Sequence, residues 1–308
     1  MHPVRTIART TALLVALALP LAACGASGND PLNNNDGSGS STSGEQVVVG
    51  SADFSESVLL AEIYAGALRA KGINASTKTG IGAREIYLKA LEDGSVDVVP
   101  EYTGALALYY DPKFDQKDPE KVYEAVRGLV PQDLVLLEKS AAEDKDSLVV
   151  TQDTAKKDSL TTMSDLAKVS GGLTLGGPPE MKERPQGLPG LKKDYGMEFG
   201  SFRPIKGSLL SEALKNGQVD VANIFSTDPS IAANGFVVLK DDKKHYGSQN
   251  VVPLVRQDKA EAVTDALNAV SAKLTTEVLS GLLQQTDIEK KDHAAVAETF
   301  LKDNGLAG

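Results

Sequence analysis

Apolar positions along the chain switch between two spacings, and the switching predicts an α/β fold. Val47, Val48 and Val49 form a continuous apolar run, which is typical of a buried strand. Residues 55–71 then carry apolar positions near helical spacing, with a serine that can cap the first turn and Gly72 after the last. The succession continues as strand, helix, strand through residue 102, so we expect a largely parallel sheet covered by helices.

The same two spacings predict strands and helices over the rest of the chain. Strands are predicted over residues 46–50, 73–79, 96–102, 134–137, 148–150, 173–176, 199–205, 219–224, 236–239 and 251–255. Helices are predicted over residues 55–71, 82–93, 120–129, 259–274 and 289–301. A stretch rich in Pro and Gly, residues 176–190, interrupts the regularity.

One segment of the chain is echoed further along. Residues 90–102 and 213–225 share six of thirteen positions without a gap, and both segments end in an aromatic residue. Chance is the alternative, because a helix, a glycine and a strand often follow one another in α/β proteins. The echo predicts two similarly built lobes, with Tyr102 and Phe225 at the carboxyl ends of corresponding strands. Ligands bind at those ends in open α/β sheets, so we expect each lobe to offer one aromatic ring to a shared cleft that closes by a hinge.

The first residues predict export and lipid attachment. Residues 1–23 contain Arg5 and Arg9, no acidic residue, and then an apolar run too short to span a bilayer. The small residues that follow lead to Cys24, the only cysteine, and resemble the bacterial lipobox, where the cysteine becomes the lipidated first residue of the mature protein. The alternative is an ordinary signal peptide with an incidental cysteine. Residues 24–45 are almost wholly small and polar, which predicts a flexible tether.

Charge and composition narrow the function classes. Without Arg5 and Arg9 the chain keeps 30 basic and 42 acidic side chains, a net charge of −12, which argues against nucleic acid as a partner. His245 and His293 are the only histidines beyond the signal peptide, and no cluster with metal-ligand spacing is present. We therefore expect no metal and no cofactor. About 285 residues remain after the signal peptide, which favours two lobes or one large α/β unit.

Several motifs resemble those of the glycine betaine/choline/carnitine-binding proteins of ABC importers. These are residues 50–57 (GSADFSES), 101–104 (EYTG), 187–191 (GLPGL), 226–229 (STDP) and 250–256 (NVVPLVR). The similarity runs from about residue 46 to 302. It implies a two-lobed periplasmic-binding fold of the second type, in which the chain crosses between lobes near Ser147–Thr151 and near Tyr246–Val251.

The resemblance also implies a domain organisation and partners. We expect a first lobe of residues 46–148 and 250–308 and a second lobe of residues 149–249. The protein would then be an extracytoplasmic, lipid-anchored monomer that delivers its ligand to a membrane permease driven by an ATPase subunit.

A quaternary ammonium ligand calls for aromatic faces, because a trimethylammonium group cannot donate a hydrogen bond but is attracted to a ring face. Tyr102 matches the cage tyrosine of the EYTG motif, and Thr103 follows it. Phe225 stands where the family usually has a tyrosine before Ser/Thr-Thr-Asp. Phe54, after the first strand, is a candidate ligand wall. Arg184 is a candidate for a ligand carboxylate, which favours arginine partners.

The rest of the family's cage is altered in this sequence. Gln249 stands where a late cage tyrosine is expected, and the nearby Tyr246 is the candidate substitute. Before the first crossing, Asp144, Lys145 and Asp146 replace polar and aromatic residues of the family. Acidic residues there would favour a cationic ligand such as choline if they line the cleft, and a solvated loop is the alternative.

Other function classes stay open at this point. No Ser/His/Asp set is supported by spacing, and no phosphate-binding loop is present, so the chain is not expected to be an enzyme. A solute-binding lipoprotein for an amino acid or a polyamine is one alternative. A surface lipoprotein that binds a protein or a cell-wall fragment is another, and that protein would expose an extended apolar patch.

Overall fold

The computed structural model describes residues 46–308, whose ten strands form two five-stranded mixed sheets. The strands are β1 (Val47–Gly50), β2 (Ala75–Lys78), β3 (Val98–Tyr102), β4 (Leu134–Leu136), β5 (Asp146–Val150), β6 (Thr174–Gly177), β7 (Ser201–Pro204), β8 (Val221–Phe225), β9 (Val237–Val238) and β10 (Val251–Arg256). The first sheet has the order β2-β1-β3-β10-β4 and the second the order β7-β6-β8-β5-β9. Cys24, the predicted signal peptide and the predicted tether lie outside the described residues.

Helices cover both sheets. They are α1 (Ser55–Ala70), α2 (Arg84–Glu92), α3 (Thr103–Tyr110), α4 (Pro119–Leu129), α5 (Gln152–Lys157), α6 (Met163–Ala167), α7 (Leu188–Tyr195), α8 (Ser208–Lys215), α9 (Ser230–Ala233), α10 (Ala260–Ser271), α11 (Thr276–Leu283) and α12 (His293–Asp303). Short 3₁₀ turns span Ser170–Gly172 and Pro179–Lys182, and a π-helical turn spans Gln284–Ile288. In the described part of the chain no helix is long and apolar enough to cross a bilayer.

The two sheets repeat one design, as the sequence echo predicts. β3 and β8 are the central strands, and each pairs in parallel on one side and antiparallel on the other. Gly94 and Gly217, at matching places in the echo, both adopt positive φ, where glycine is favoured. The glycine ends the helix before the central strand in each case, so its recurrence has a backbone reason.

Aspartates at matching positions lock each central strand to its neighbour. One Asp97 carboxylate oxygen accepts a hydrogen bond from the Val48 amide at 2.8 Å. In the second sheet an Asp220 carboxylate oxygen accepts from the Thr174 amide at the same distance. These bonds hold the start of each central strand in register with its parallel neighbour, so the carboxyl ends of β3 and β8 occupy equivalent places in their sheets.

The chain crosses between the sheets twice. It passes from β4 of the first sheet to β5 of the second, and later returns from β9 to β10. The first crossing is predicted near Ser147–Thr151, but β5 belongs to the second sheet from its first residue, Asp146, so the chain has already crossed by that point. The division between residues 148 and 149 therefore falls inside β5. Each crossing strand lies antiparallel to the central strand of the sheet that it enters.

Each sheet has an apolar core on both faces. On the first sheet, α1, α10 and α12 cover one face, and α2, α3 and α4 cover the other. On the second sheet, the larger cluster includes residues of α6 and α7, and the smaller includes residues of α8. Burial on both faces explains the continuous apolar runs, such as that of β1, that predicted the strands.

The last predicted helix differs at its start. It was expected from residue 289, but α12 begins at His293, because the Asp292 carboxylate caps it by accepting a hydrogen bond from the Ala295 amide at 3.0 Å. The π-helical turn, Gln284–Ile288, lies in the chain just before this helix. The segment from 284 to 293 therefore packs beside the start of α1 instead of continuing as regular helix.

Candidate functional site

Three aromatic rings meet where the two sheets face each other. Phe54 precedes α1 in the first lobe, Tyr102 ends β3, and Phe225 ends β8 in the second lobe. The ring centroids of Phe54 and Phe225 are 5.3 Å apart, and those of Phe54 and Tyr102 are 6.2 Å apart. The structure thus brings together, from both lobes, three of the aromatic residues that the sequence singled out.

A buried carboxyl group joins the lobes beside these rings. The Tyr102 hydroxyl donates to one oxygen of Glu56 at 2.6 Å, and the Thr227 hydroxyl donates to the other oxygen at 2.6 Å. Glu56 lies on α1 of the first lobe and Thr227 follows β8 of the second, and each is under 5% exposed. The Glu56 carboxyl therefore ties the two lobes together at the floor of the aromatic cluster.

Asp144 lies next to this bridge. Its carboxylate accepts a hydrogen bond from the Thr227 amide at 3.2 Å and another from the Ser226 hydroxyl at 3.3 Å. Burial raises the pKa of Glu56 to about 7, against the lowering effect of the Thr227 and Tyr102 hydrogen bonds. Burial and the charge of Glu56 also raise the pKa of Asp144 well above its usual value. Among residues 46–308, neither carboxyl group has an ion-pair partner that would offset this effect.

Two ion pairs connect the rims of the lobes. Arg184 donates two hydrogen bonds to the two oxygens of Glu85, at 3.2 and 3.1 Å. The Lys206 ammonium group lies 2.9 Å from an Asp53 carboxylate oxygen. Arg184 and Lys206 belong to the second lobe, and Glu85 and Asp53 belong to the first. The lobes are thus in contact at the rim as well as at the aromatic cluster.

A cavity of about 400 Å³ opens between the lobes near the Arg184–Glu85 pair. Its lining includes Arg84, Tyr109 and Gln186. Arg84 is buried, and it donates two hydrogen bonds to Glu101, at 2.9 and 3.1 Å, while the Tyr87 hydroxyl donates to Glu101 at 2.6 Å. Planar pairing of this kind satisfies both charges.

Thr103 and Gln249 fasten the returning chain to the first lobe. The Thr103 hydroxyl accepts from the Asn250 amide at 3.1 Å, and the Gln249 side-chain oxygen accepts from the Ala105 amide at 2.8 Å, which satisfies a free donor at the start of α3. At Gly104 a Cβ atom would lie 2.3 Å from the Ser248 carbonyl oxygen, so only glycine fits. The EYTG motif is therefore a clamp on the second crossing as well as a source of Tyr102.

Asp146 and Tyr246 lie in the second lobe near the cluster. Asp146 pairs in register with Phe225 across β5 and β8. Tyr246 is 4% exposed, and its ring packs against that of His245 at a centroid distance of 4.8 Å. Burial and the nearby charge of Asp146 raise the pKa of Tyr246. Burial likewise raises the pKa of Asp146, while the neighbouring Asn223 amide opposes that shift.

A serine, a histidine and an aspartate also meet beside α1, but their bonds do not suit nucleophilic catalysis. Ser55 Oγ donates to Asp287 and lies 2.8 Å from His293 Nε2. A hydroxyl has one proton, so the histidine must donate to Ser55 and cannot accept its proton. In a catalytic triad the acid orients the histidine and the histidine accepts from the serine. These residues instead connect α1 to the π-helical turn and to α12.

Sequence reasoning missed part of this site. Glu56 and Thr227 both fall within the motifs that carried the family resemblance, but neither was singled out. An acidic residue in the first turn of a helix is ordinarily explained by the helix dipole, so Glu56 gave no separate signal. Arg84 and Glu101 were also missed. Their buried ion pair depends on the packing of α2 against β3, which the sequence alone does not show.

Comparison with known proteins agrees with the fold and with the motifs. A family model for the substrate binding domain of ABC-type glycine betaine transport systems matches residues 45–303. The glycine-betaine-binding protein of Pseudomonas aeruginosa is 28% identical, over 85% of this chain and 89% of that protein. The carnitine transport binding protein OpuCC of Listeria monocytogenes is 30% identical, over 76% of this chain and 78% of that protein.

A further relative and two solved structures complete the comparison. The ergothioneine transport permease/ergothioneine binding protein of Helicobacter pylori is 27% identical over 84% of this chain, which spans 48% of that protein. A crystal structure described as a glycine betaine/carnitine/choline ABC transporter has a TM-score of 0.68 at 28% identity, covering 85% of this chain and 100% of that one. Apo YehZ from Escherichia coli has a TM-score of 0.61 at 27% identity, with the same coverage.

The two facing sheets, the double crossing and the aromatic cluster between the lobes define a solute-binding protein of the two-lobed, second type. The match over residues 45–303 defines the family within that class. The chain belongs to the family of substrate-binding domains of ABC-type glycine betaine transport systems, and it is the extracytoplasmic substrate-binding component of an ABC importer.

Proposed function

We propose that the protein captures a small quaternary ammonium compound, glycine betaine, choline or carnitine, between its lobes. The observation that carries the proposal is the contact of Phe54 with both Tyr102 and Phe225, which sets aromatic faces from the two lobes against each other. A trimethylammonium group gains about 0.5–2 kcal/mol from each such ring, and more when water is excluded. The names of the relatives, which bind glycine betaine or carnitine, support the same ligand class.

Local charge supports a positive ligand group at this place. Glu56 and Asp144 are buried beside the rings, and neither forms an ion pair within residues 46–308. A cation next to them offsets part of the energy that burial of two carboxyl groups costs. The roles of Thr103, Arg184 and Gln249 as ligand contacts stay predictions.

Capture acts through closure rather than through chemistry. A ligand shifts the lobes toward the closed state by as much as it binds that state more tightly than the open one. The bridge through Glu56 and the rim pairs Arg184–Glu85 and Lys206–Asp53 all join the lobes, so a closed form held by them would be the form presented to the permease. The permease and its ATPase then move the ligand inward. We propose that the protein works as a monomer and has no catalytic role.

Isothermal titration with Phe225 variants tests the proposal. The wild-type protein is expected to bind at least one of glycine betaine, choline and carnitine, and not proline. Phe225→Leu keeps an apolar side chain but removes the ring, so the dissociation constant should rise roughly 2- to 30-fold, while Phe225→Tyr should retain binding. Phe236→Leu, which changes a half-buried ring elsewhere in the second lobe, is the matched control. Failure of all three ligands to bind the wild type, or equal binding by Phe225→Leu, would overturn the proposal.

We further propose that residues 1–23 direct export and that Cys24 carries the lipid, with residues 24–45 as the tether. The sequence pattern supports this organisation, and a lipid plus a tether would keep the binding lobes near the permease. We propose the same division into two lobes that the sequence predicts, with the first boundary moved to before Asp146, because β5 belongs to the second sheet from that residue. Cys24→Ser should move the protein from the membrane fraction to the soluble fraction of cells, and persistence in the membrane would contradict lipid attachment.

A further inference from the structure

Two polar groups beside the aromatic cluster are left for a ligand. Asp146 and Phe225 are directly paired across antiparallel strands, and paired residues project from the same face of a sheet. The Asp146 carboxyl therefore lies alongside the ring that faces Phe54. It takes part in none of the ion pairs of residues 46–308, and the Asn223 amide is its near neighbour.

The Tyr246 hydroxyl is the second of these groups. Tyr246 is 4% exposed, yet its hydroxyl makes no hydrogen bond of normal geometry within the described part of the chain, where the Asn223 amide is the polar side chain close to it. A buried hydroxyl without a partner costs about 1–3 kcal/mol, so it calls for a group that is not part of the protein itself. The backbone brings Tyr246 to the same end of the site, because the Gln249 side-chain amide donates to the Tyr246 carbonyl at 3.1 Å. The Gln249 carbonyl in turn accepts from the Asp144 amide at 3.1 Å, two positions before Asp146. The charge of Asp146 also acts on this hydroxyl.

The two arginines of the cleft are already engaged. Arg84 holds Glu101 through two hydrogen bonds, and Arg184 holds Glu85 through two more. A ligand carboxylate would have to displace a glutamate from a two-point pair to reach either guanidinium. It would also be repelled by the carboxylate of Asp146, on which the charges of Arg184 and Arg84 act without forming an ion pair.

We infer that Asp146 and the Tyr246 hydroxyl determine specificity at the end of the ligand opposite its ammonium group, selecting a hydrogen-bond donor such as a hydroxyl and rejecting a carboxylate. The inference rests on the proposed function and deepens it. An ammonium alcohol would place its cation on the rings of Phe54 and Phe225 and donate its hydroxyl proton to Asp146, while Tyr246 donates to the same ligand oxygen. An ammonium carboxylate offers no proton to Asp146.

Titration calorimetry with three probes tests the inference. Choline, glycine betaine and tetramethylammonium share the quaternary group and differ only beyond it. Wild-type protein should bind choline at least about tenfold more tightly than glycine betaine. Asp146→Asn should remove most of this preference by weakening choline and strengthening glycine betaine, because the amide keeps the shape and removes the negative charge. Tyr246→Phe should weaken choline about 2- to 10-fold and leave tetramethylammonium unchanged.

Controls separate this inference from the function on which it rests. Asp153→Asn removes one exposed charge of the second lobe and should leave the choline to glycine betaine ratio as in the wild type. Thermal melting of each variant confirms folding, and the isosteric Tyr246→Phe provides a second test if Asp146→Asn does not fold. If no probe binds the wild type, the proposed function is wrong, and so is the specificity inference that rests on it. If probes bind but the ratio is the same in the wild type and Asp146→Asn, or Tyr246→Phe binds choline normally, the specificity inference alone is overturned.

Discussion

Thr227 supplies a hydrogen bond that crosses the cleft, and replacing its hydroxyl tests how closure is held. Thr227→Val keeps the shape of the side chain and removes the donor to Glu56, a bond of 2.6 Å between residues that are 3% and 4% exposed. A hydrogen bond to a charged group contributes about 1.5–3 kcal/mol. The bond joins the two lobes, so its loss should act on the closed state and spare the open one.

The magnitude follows from linkage between closure and binding. If the open form predominates without ligand, all of the lost free energy appears in the dissociation constant, which should rise roughly 10- to 150-fold. The measurement is titration calorimetry at pH 8, where Glu56 is largely ionised and the bond is strongest.

Thr264→Val is the matched control for this prediction. Its hydroxyl donates to the Ala260 carbonyl at 2.7 Å within α10, so it joins nothing across the cleft. The control should change stability slightly and the dissociation constant not at all. An unchanged dissociation constant for Thr227→Val in correctly folded protein would refute the reasoning that this bond stabilises the closed state.

Two further predictions concern buried charge. Because burial raises the pKa of Glu56 from 4.5 to about 7, the folded state holds a proton that the unfolded state releases, and the free energy of unfolding should fall as pH rises from about 4.5 to about 7. Glu56→Gln should reduce that fall in urea denaturation, and an identical pH dependence in both proteins would contradict the assignment. Arg84→Met leaves Glu101 buried without its partner and should destabilise the protein by about 3–5 kcal/mol, with much of the loss recovered by adding Glu101→Gln. A cost below about 1 kcal/mol for the single change would show that the pair is not the main support of Glu101.

The parts of the fold that were predicted are those whose signal is local. β1 shows an uninterrupted apolar run, so this strand could be predicted from the sequence. The repeated glycine turn and strand that end at Tyr102 and Phe225 could be predicted in the same way. α3 was not predicted, because Thr103–Tyr110 is almost wholly apolar and lacks the polar face that marks an amphipathic helix. α7 lies partly within the Pro/Gly-rich stretch, where Pro189 suits a first turn but reads as a break in a pattern.

The candidate site also contains some residues that could be predicted from the sequence and some contacts that could not. Phe54, Tyr102 and Phe225 follow strands, and the ends of strands point to the cleft from sequence alone. The partner of Arg184 could not be read, since Glu85 lies on the other lobe and ninety-nine positions away. The carboxyl groups of Glu56 on α1 and Asp144 in the first crossing interact although they are 88 positions apart, so their contact could not be predicted from the sequence. Chemistry that arises from contacts between lobes needs the structure.

The double crossing has a consequence for the order in which the molecule can assemble. All strands of the second sheet lie in one continuous segment, from Asp146 to Val238, so this sheet can form as soon as that segment is available. The first sheet cannot form so early, because its strand β10 lies between β3 and β4 and begins only at Val251. Until then β3 has an open edge and β4 has no partner strand, and unpaired strands invite wrong pairing. A chain threaded through a membrane amino end first would thus expose the unfinished half of its binding cleft until the last part arrived, which makes the carboxyl-terminal segment the step that completes the receptor.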